Sequence, residues 1–519
     1  MNIKNALERR DIINSILLEG QNIINAKDLP NKKFIDVMMD KIKAYDLLSE
    51  EDLEILTDRS KGRELFKCDY SYFKYIENES DLDSLIRDGK GITRYYSICH
   101  TLKGKKYVVT SQLYDGKTHP DSKTPFCMWV LDKFKQKYPT PFIHAYLASN
   151  GFTYTEQLIK NLYLSLKSKP FVILAGISGT GKSKLARLFA EAINAEFKMI
   201  SVRPDWSDST DLFGYVDLHG NFQPGVLTLS IKEANQPENI HKPYIICLDE
   251  MNLAVVEHYF SDVLSVMETR KFENGNIVSE RFIEPALFRS DLEAKERYGS
   301  IYFSQNLYFI GTVNMDETTH SFSKKVLDRA NTIELSEVNL KLGLEMKEQK
   351  SSESFSMDNT VLMSEYFGIQ QCYSEYKEEL TWVINILSDV NEQLQTMNAQ
   401  IAYRVRDEIC YYVSYALKYN LFSKQEAMDL CLMQKILPRI NGRGEEMRKS
   451  LVELFNLCLE NKKFRINSED QDRLEKMQNV LKDSKENAKF EIRFPLTANK
   501  VVFMLKKCEG EFGNASYWL

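Results

Sequence analysis

"LAGISGTGKSKLARLFAEAI", residues 174–193, decides the fold. An apolar run, "FVILAG" (171–176), leads into glycines, then a lysine, a serine and an amphipathic helical pattern. Gly176, Gly181, Lys182 and Ser183 follow the spacing GxxxxGK[ST] of a phosphate-binding loop. Glycines there let successive backbone N–H groups turn inward around phosphate oxygens with no Cβ in the way. The predicted phosphate-binding set is Gly176, Ser178, Gly179, Thr180, Gly181, Lys182, Ser183 and Lys184. Lys182 supplies positive charge to the β and γ phosphates, and the Ser183 hydroxyl is an Mg²⁺ ligand. The helix that follows turns its positive dipole end toward the same anion.

Two further stretches complete a hydrolytic site. In "YIICLDEMN" (244–252) the run Ile245–Leu248 predicts a buried strand, with Asp249 at the C-terminal edge where parallel sheets place ligands. Asp249 is the second metal candidate, and Glu250 the group that polarises the attacking water. A carboxylate at Glu250 argues for hydrolysis over phosphoryl transfer to a metabolite. In "LYFIGTVNMDETTHSFSKKVLDRANTIEL" (307–335) a strand delivers Asn314 to the same edge, within reach of water near the γ-phosphate. Arg329 follows a short helical stretch, placed to neutralise transition-state charge on a neighbouring subunit's nucleotide. The catalytic set is therefore Glu250, Asn314 and Arg329.

The rest of the chain sets the context. At 519 residues it exceeds one core and predicts several domains. A net charge of −6 gives no whole-chain argument for nucleic acid, so any DNA contact must come from a local patch. Nine cysteines stand singly, which suits reduced thiols in a cytoplasmic protein better than zinc or disulfides. The N-terminus is too often interrupted by charge for a signal peptide, and no apolar run reaches membrane-spanning length.

By texture, residues 1–150 form an α+β N-terminal domain in which "LKGKK" is a hairpin turn. Residues 151–343 alternate strands and helices, an α/β pattern with helices on both faces of a parallel sheet. Its first helix is expected to start at Thr153, with Thr153 and Glu156 as a capping box. Residues 344–375 read as a polar linker or insertion, and 376–519 as a helical lid.

The order of phosphate loop, "LDE", "TVNMDE" and "DRA" resembles the AAA+ P-loop NTPases, most of all the McrB-like GTPase branch, the motor subunits of modification-dependent restriction systems. "RPDWSDSTDLFGYVDLHGNFQPGVLTLSIKEA" (203–234) looks like that branch's helix-2 insertion, with "HGNF" as its hairpin turn. Asn314 and Asp316 fall where the branch carries "MNTAD", although the intervening residues differ. "AYRVRDEI", "QKILPRINGRG" and "FPLTANKVVFML" look like its helical lid, with Arg404 and Arg406 as candidates for sensing nucleotide. The family's double or triple arginine is the single Arg329 here.

The resemblance implies a homo-oligomeric ring, a hexamer, with Mg²⁺ and GTP or ATP at subunit interfaces. It also implies a separate McrC-like nuclease subunit, because this chain shows no nuclease constellation of its own. Residues 1–150 are the candidate DNA reader. The segment Lys103–Lys137 carries eight lysines against three aspartates, and Tyr70, Tyr72, Phe73, Tyr95, Tyr96 and Trp129 offer rings for an extruded base. The same aromatics suit the core of a small domain, and this domain equally suits a protein partner. A MoxR-like chaperone ATPase is the first alternative, since it shares the helix-2 insertion. A nucleotide-gated scaffold with negligible turnover is the second, and Glu250 argues against it.

Overall fold

A computed structural model describes residues 3–117, 119–273, 275–288, 291–315, 320–335, 352–460, 464–487, 492–510 and 513–518. Asp316 and residues 344–351 of the expected linker lie outside them. The chain divides into two compact units, residues 2–145 and 146–519. The division falls inside the helix Pro139–Ser149, not after residue 150.

The first unit opens with four helices, Ile3–Asn25, Asn31–Ala44, Glu50–Thr57 and Arg59–Phe66. The third starts at a capping box in which Ser49 and Asp52 satisfy each other's backbone N–H. Three antiparallel strands follow, β1 (Phe73–Ile76), β2 (His100–Leu102) and β3 (Lys105–Val109), in the order β1-β3-β2. The predicted hairpin joins β2 to β3 through Lys103 and Gly104, with φ of 47° and 77°, the conformation a two-residue type I′ turn requires.

Most of the proposed base-stacking rings are core here. Tyr72, Phe73 and Tyr95 are buried, and Tyr72 stacks on Phe126 with centroids 4.0 Å apart. Trp129 packs edge-on to Phe66. Tyr70 lies beneath the guanidinium groups of Arg59 and Arg94, and Tyr96 is half-buried. The lysine run is largely neutralised by carboxylates. Lys103 and Lys137 meet Asp46, Lys105 meets Glu50, Lys117 meets Asp115, and Lys133 meets Asp52 at 2.7 Å. Lys123 is buried and donates to the Leu29 carbonyl.

In the second unit a five-stranded parallel sheet has the order β12-β4-β11-β8-β5. Its members are β4 (Phe171–Gly176), β5 (Glu196–Ser201), β8 (Tyr244–Asp249), β11 (Leu307–Asn314) and β12 (Asn331–Glu334). Strands β4 and β11 are buried along their whole length, because helices cover both faces; their runs are apolar instead of alternating for that reason. Between β5 and β8 the insertion forms a hairpin of β6 (Gly214–Val216) and β7 (Phe222–Pro224), then the helix Val226–Ala234. A second hairpin, β9 (Lys271–Glu273) with β10 (Asn276–Val278), lies between β8 and β11. The unit's first helix runs Glu156–Ser168, and its N-cap is Thr155, which accepts from the Leu158 N–H, so the cap is two residues later than Thr153.

Residues 352–363 correct the expected linker: they form a packed strap along the N-terminal edge of the sheet. Phe355 and Met357 donate backbone N–H groups to the carbonyls of Ala192 and Ile193, and Asn359 donates to His241. Asn359, 1% exposed, also gives its Nδ2 to the Gln305 carbonyl and takes the Tyr308 hydroxyl on Oδ1. Small and polar residues here read as flexible, yet Phe355, Met357 and Leu362 are buried.

The helical region follows: Lys377–Thr396, Tyr403–Lys418, Lys424–Cys431, Glu445–Leu457, Arg473–Asn487 and Pro495–Glu509. A short ladder pairs β13 (Asn441–Arg443) with β14 (Asn514–Ser516). This region belongs to the same compact unit as the sheet. Among the described residues no helix is long and apolar enough to cross a membrane.

Candidate functional site

Strand β4 ends at Gly176, and the chain turns through Ile177–Gly181 before the helix Lys182–Ala192. Gly179 and Gly181 take φ of +81° and +85°, which side chains with a Cβ rarely adopt. The Gly181 carbonyl accepts the Tyr154 hydroxyl at 2.9 Å, and Thr180 Oγ1 donates back to the Ile177 carbonyl. Ser178 and Gly179 are exposed at the loop's crest. Lys184, also exposed, lies over the Phe152 ring, which stacks on Tyr154.

The Lys182 side chain folds under the loop. Its Nζ donates to the Gly176 and Ile177 carbonyls at 3.1 and 2.8 Å, and the residue is 6% exposed. The helix N-terminus adds the positive end of its dipole beside the ammonium, where an incoming anion would sit.

Parallel pairing of β4, β11 and β8 brings the remaining groups to the same edge. Asn314 is the register partner of Gly176, and Gly311 that of Leu248. Ser183 Oγ donates to Asp249 Oδ1 at 2.5 Å. Glu250 follows immediately, with φ 54° and ψ 50°, the left-handed region. Asn314 Nδ2 donates to Glu250 Oε1 at 3.3 Å, and Asn314 is 9% exposed. Of the predicted set, Lys182, Ser183, Asp249, Glu250 and Asn314 thus converge.

Thr312 was not anticipated. It stands two residues before Asn314, so both side chains leave the same face of β11. Its hydroxyl donates to Asp249 Oδ1 at 2.8 Å and accepts the Glu250 backbone N–H at 3.0 Å. The period-2 relation to Asn314 was the available signal.

The predicted arginines gather elsewhere. Arg329 forms an ion pair with Glu268 and donates Nε to the Leu264 carbonyl and Nη1 to the Lys325 carbonyl. Burial lowers its pKa, while Glu268 acts in the opposite sense. Arg404 meets the same Glu268 at 2.5 Å, so one carboxylate holds both guanidinium groups. Arg406 instead bonds Asp407 at 2.6 Å and lies over the Tyr403 ring. No described contact joins Arg329, Arg404 or Arg406 to the phosphate loop of the same chain.

The segment carrying Arg329 is fixed from the helical region. Arg439, from "QKILPRINGRG", pairs with Asp328, and Lys435 donates to the Asp328 carbonyl. Lys435 also meets Glu408, which meets Lys169 just before β4.

Comparison with known proteins agrees with this architecture. Residues 171–330 match the AAA domain of the dynein-related subfamily, and residues 350–511 match a domain of unknown function, DUF8727. The chain carries an AAA domain with the AAA+ P-loop NTPase fold, as its sequence led one to expect. It is 26% identical over 347 residues to Lon protease of Mesomycoplasma hyopneumoniae, covering 62% of this chain and 37% of that protein. Over 176 residues it is 28% identical to the type IV methyl-directed restriction enzyme EcoKMcrB subunit of Escherichia coli K12, covering 32% and 35%. The chain therefore spans about a third of the length of these relatives. The crystal structure of a putative ATPase from Cytophaga hutchinsonii aligns with a TM-score of 0.37 at 14% identity, over 59% of this chain and 88% of that one.

Proposed function

We propose that this chain is a nucleoside triphosphatase that works as the motor subunit of a ring. The observation that carries the reading is the convergence of Ser183, Asp249, Glu250 and Asn314 beside a phosphate loop with a buried Lys182. On nucleotide entry, Lys182 exchanges its loop carbonyls for phosphate oxygens. Glu250 polarises the attacking water and takes its proton, and the Asn314 amide keeps that carboxylate oriented. Ser183 and Asp249 fit magnesium, since a hydroxyl and a carboxylate 2.5 Å apart are the hard oxygen donors it prefers. Bound there, the ion supplies positive charge to the phosphate oxygens. The phosphate loop reads no base, so GTP and ATP both remain substrates of this proposal, with GTP first by likeness to the McrB-like branch.

Arg329 acts in trans on this reading, leaving Glu268 for the nucleotide of the neighbouring subunit. Mixing Arg329→Ala with Lys182→Ala protein tests the sharing of sites. Each is expected to be inactive alone, and co-assembled rings to regain activity; no recovery despite confirmed co-assembly counts against it.

The load we assign is DNA, within a restriction or anti-phage complex whose cutting is done by a separate McrC-like nuclease subunit. The sequence likeness to the restriction enzyme subunit supports this. A second reading, remodelling of a protein partner in the manner of MoxR-like ATPases, draws support from the first unit, where acidic partners neutralise most of the expected basic patch. Hydrolysis of ATP and GTP, measured with and without methylated DNA, unmodified DNA and candidate protein partners, decides. Stimulation by DNA supports the first load. Indifference to DNA with stimulation by a protein supports the second, and hydrolysis of neither nucleotide under any condition contradicts the motor itself.

A further inference from the structure

Glu250, at the C-terminal edge of the sheet, has its backbone in a region that side chains disfavour. Its φ of 54° and ψ of 50° are left-handed, and its carboxylate accepts from Asn314 at 3.3 Å. A strained conformation persists only where its surroundings hold it. Two contacts do so. Thr312 Oγ1 accepts the Glu250 N–H at 3.0 Å, and Met251, the next residue, is seated against β11 at Gly311. A Cβ on Gly311 would stand 2.4 Å from the Met251 Sδ, so the close approach depends on glycine there. Beyond it, the Met251 carbonyl accepts the buried Tyr259 hydroxyl at 2.7 Å.

The Thr312 hydroxyl both donates and accepts within the site. Its proton goes to Asp249 Oδ1 and a lone pair receives the Glu250 N–H. The residue is 2% exposed, so water does not replace either contact readily. Asn314, two positions along the same strand face, holds the far end of the Glu250 side chain. Strand β11 therefore grips Glu250 twice, at its backbone through Thr312 and at its carboxylate through Asn314.

We propose that Thr312 is a positioning residue for hydrolysis: its hydroxyl locks the left-handed backbone of Glu250, and so the placement of the water-polarising carboxylate, relative to Asp249. The proposal rests on the triphosphatase reading above. It assigns Thr312 no contact with substrate; its effect passes through Glu250.

The test uses the full chain with Mg²⁺ and whichever of ATP and GTP the wild type hydrolyses. Thr312→Val keeps the branched shape a buried strand prefers and removes only the hydroxyl's bonds. It is expected to lower kcat by ~10–100-fold, the usual cost of losing an outer-shell partner, with nucleotide Kd changed less than about threefold. Thr312→Ser, which restores the hydroxyl, is expected to recover most of kcat. In a Glu250→Gln background, single-turnover rates are expected to show no further loss from Thr312→Val, because the carboxylate it positions is already gone.

Several results overturn the proposal. Unchanged kcat in a folded Thr312→Val does, and so does an equal fold-loss in the Glu250→Gln background. Full recovery of kcat at raised Mg²⁺ does too, since that places the effect at Asp249. If Thr312→Val fails to fold, Thr312→Ala and Thr312→Ser carry the same comparison. A wild type that hydrolyses neither nucleotide overturns the triphosphatase reading and this inference with it; an active wild type with an indifferent Thr312→Val overturns this inference alone.

Discussion

Glu408 is the place where one carboxylate holds two parts of the second unit together, and Glu408→Gln tests that directly. Its carboxylate meets Lys169, just ahead of β4, at 2.6 Å through one oxygen and Lys435 at 2.5 Å through the other. The side chains of Glu408, Lys169 and Lys435 are 6%, 13% and 2% exposed. Burial by itself would raise the Glu408 pKa, but the two ammonium groups outweigh it and hold the group below the ordinary carboxylate range.

At an effective dielectric of ~20, each contact of this length is worth roughly 6 kcal/mol of Coulomb attraction. Most of that is offset by taking three charges out of water, so the sum is not the triad's contribution. Removing the carboxylate is different, because the desolvation cost of both lysines stays and their mutual repulsion is uncovered. The expected loss is about 3–5 kcal/mol. Urea unfolding followed by a signal from the second unit reads it as a fall in the midpoint at unchanged slope. Replacing all three with apolar residues of similar size, Lys169→Met, Glu408→Leu and Lys435→Met, is expected to recover most of the loss. A Glu408→Gln protein within about 1 kcal/mol of wild type would refute the reasoning, since buried unpaired ammonium groups cannot be that cheap.

The strap gives a second test: Asn359→Leu removes the nearer acceptor of the buried Tyr308 hydroxyl and a donor to the Gln305 carbonyl, leaving those two only their mutual contact at 3.4 Å, and is expected to cost about 1–3 kcal/mol, read by the same unfolding curve. A third concerns pH. Burial would raise the Glu365 carboxyl, but Lys167, Lys418 and Tyr419 outweigh it and bring its pKa to about 2, against 4.5 ordinarily. A depressed carboxyl contributes stability that is present above the unfolded value and lost as pH falls through the folded one. The stability gap between wild type and Glu365→Gln, about 1–3 kcal/mol near neutrality once its partial exposure is allowed for, is expected to close between pH 4.5 and 2. A gap that stays constant over that range contradicts the assignment.

The phosphate loop, the two carboxylates and Asn314 were legible because each sits at the end of an apolar run that can only be a buried strand. Glycine spacing and strand ends are local properties of the chain. The same holds for the "LKGKK" hairpin, where turn chemistry is local too. Thr312 was missed because a threonine within a strand is ordinary, and its role appears only when β8 and β11 lie side by side. Arg439 and Glu268 were missed for the same reason: their partners Asp328 and Arg329 lie 111 and 61 residues away in sequence. The strap misled because its serines and charges suggest solvent, while the residues that anchor it, Phe355, Met357, Asn359 and Leu362, are spaced among them. The partners of the first unit's lysines were not legible in the sequence either. Counting charge along the chain could not show that Asp46, Glu50 and Asp52 face them across the fold.

The central claim is that Glu250 drives water onto a nucleotide held by the loop at Lys182. Its most direct test is steady-state hydrolysis by Glu250→Gln beside a binding measurement on the same protein, with Mg²⁺ and ATP or GTP. Nucleotide affinity is expected within about threefold of wild type, with a fall in kcat of ~10²–10⁴-fold, the usual contribution of a positioned general base. A Glu250→Gln protein that hydrolyses as fast as wild type would contradict it.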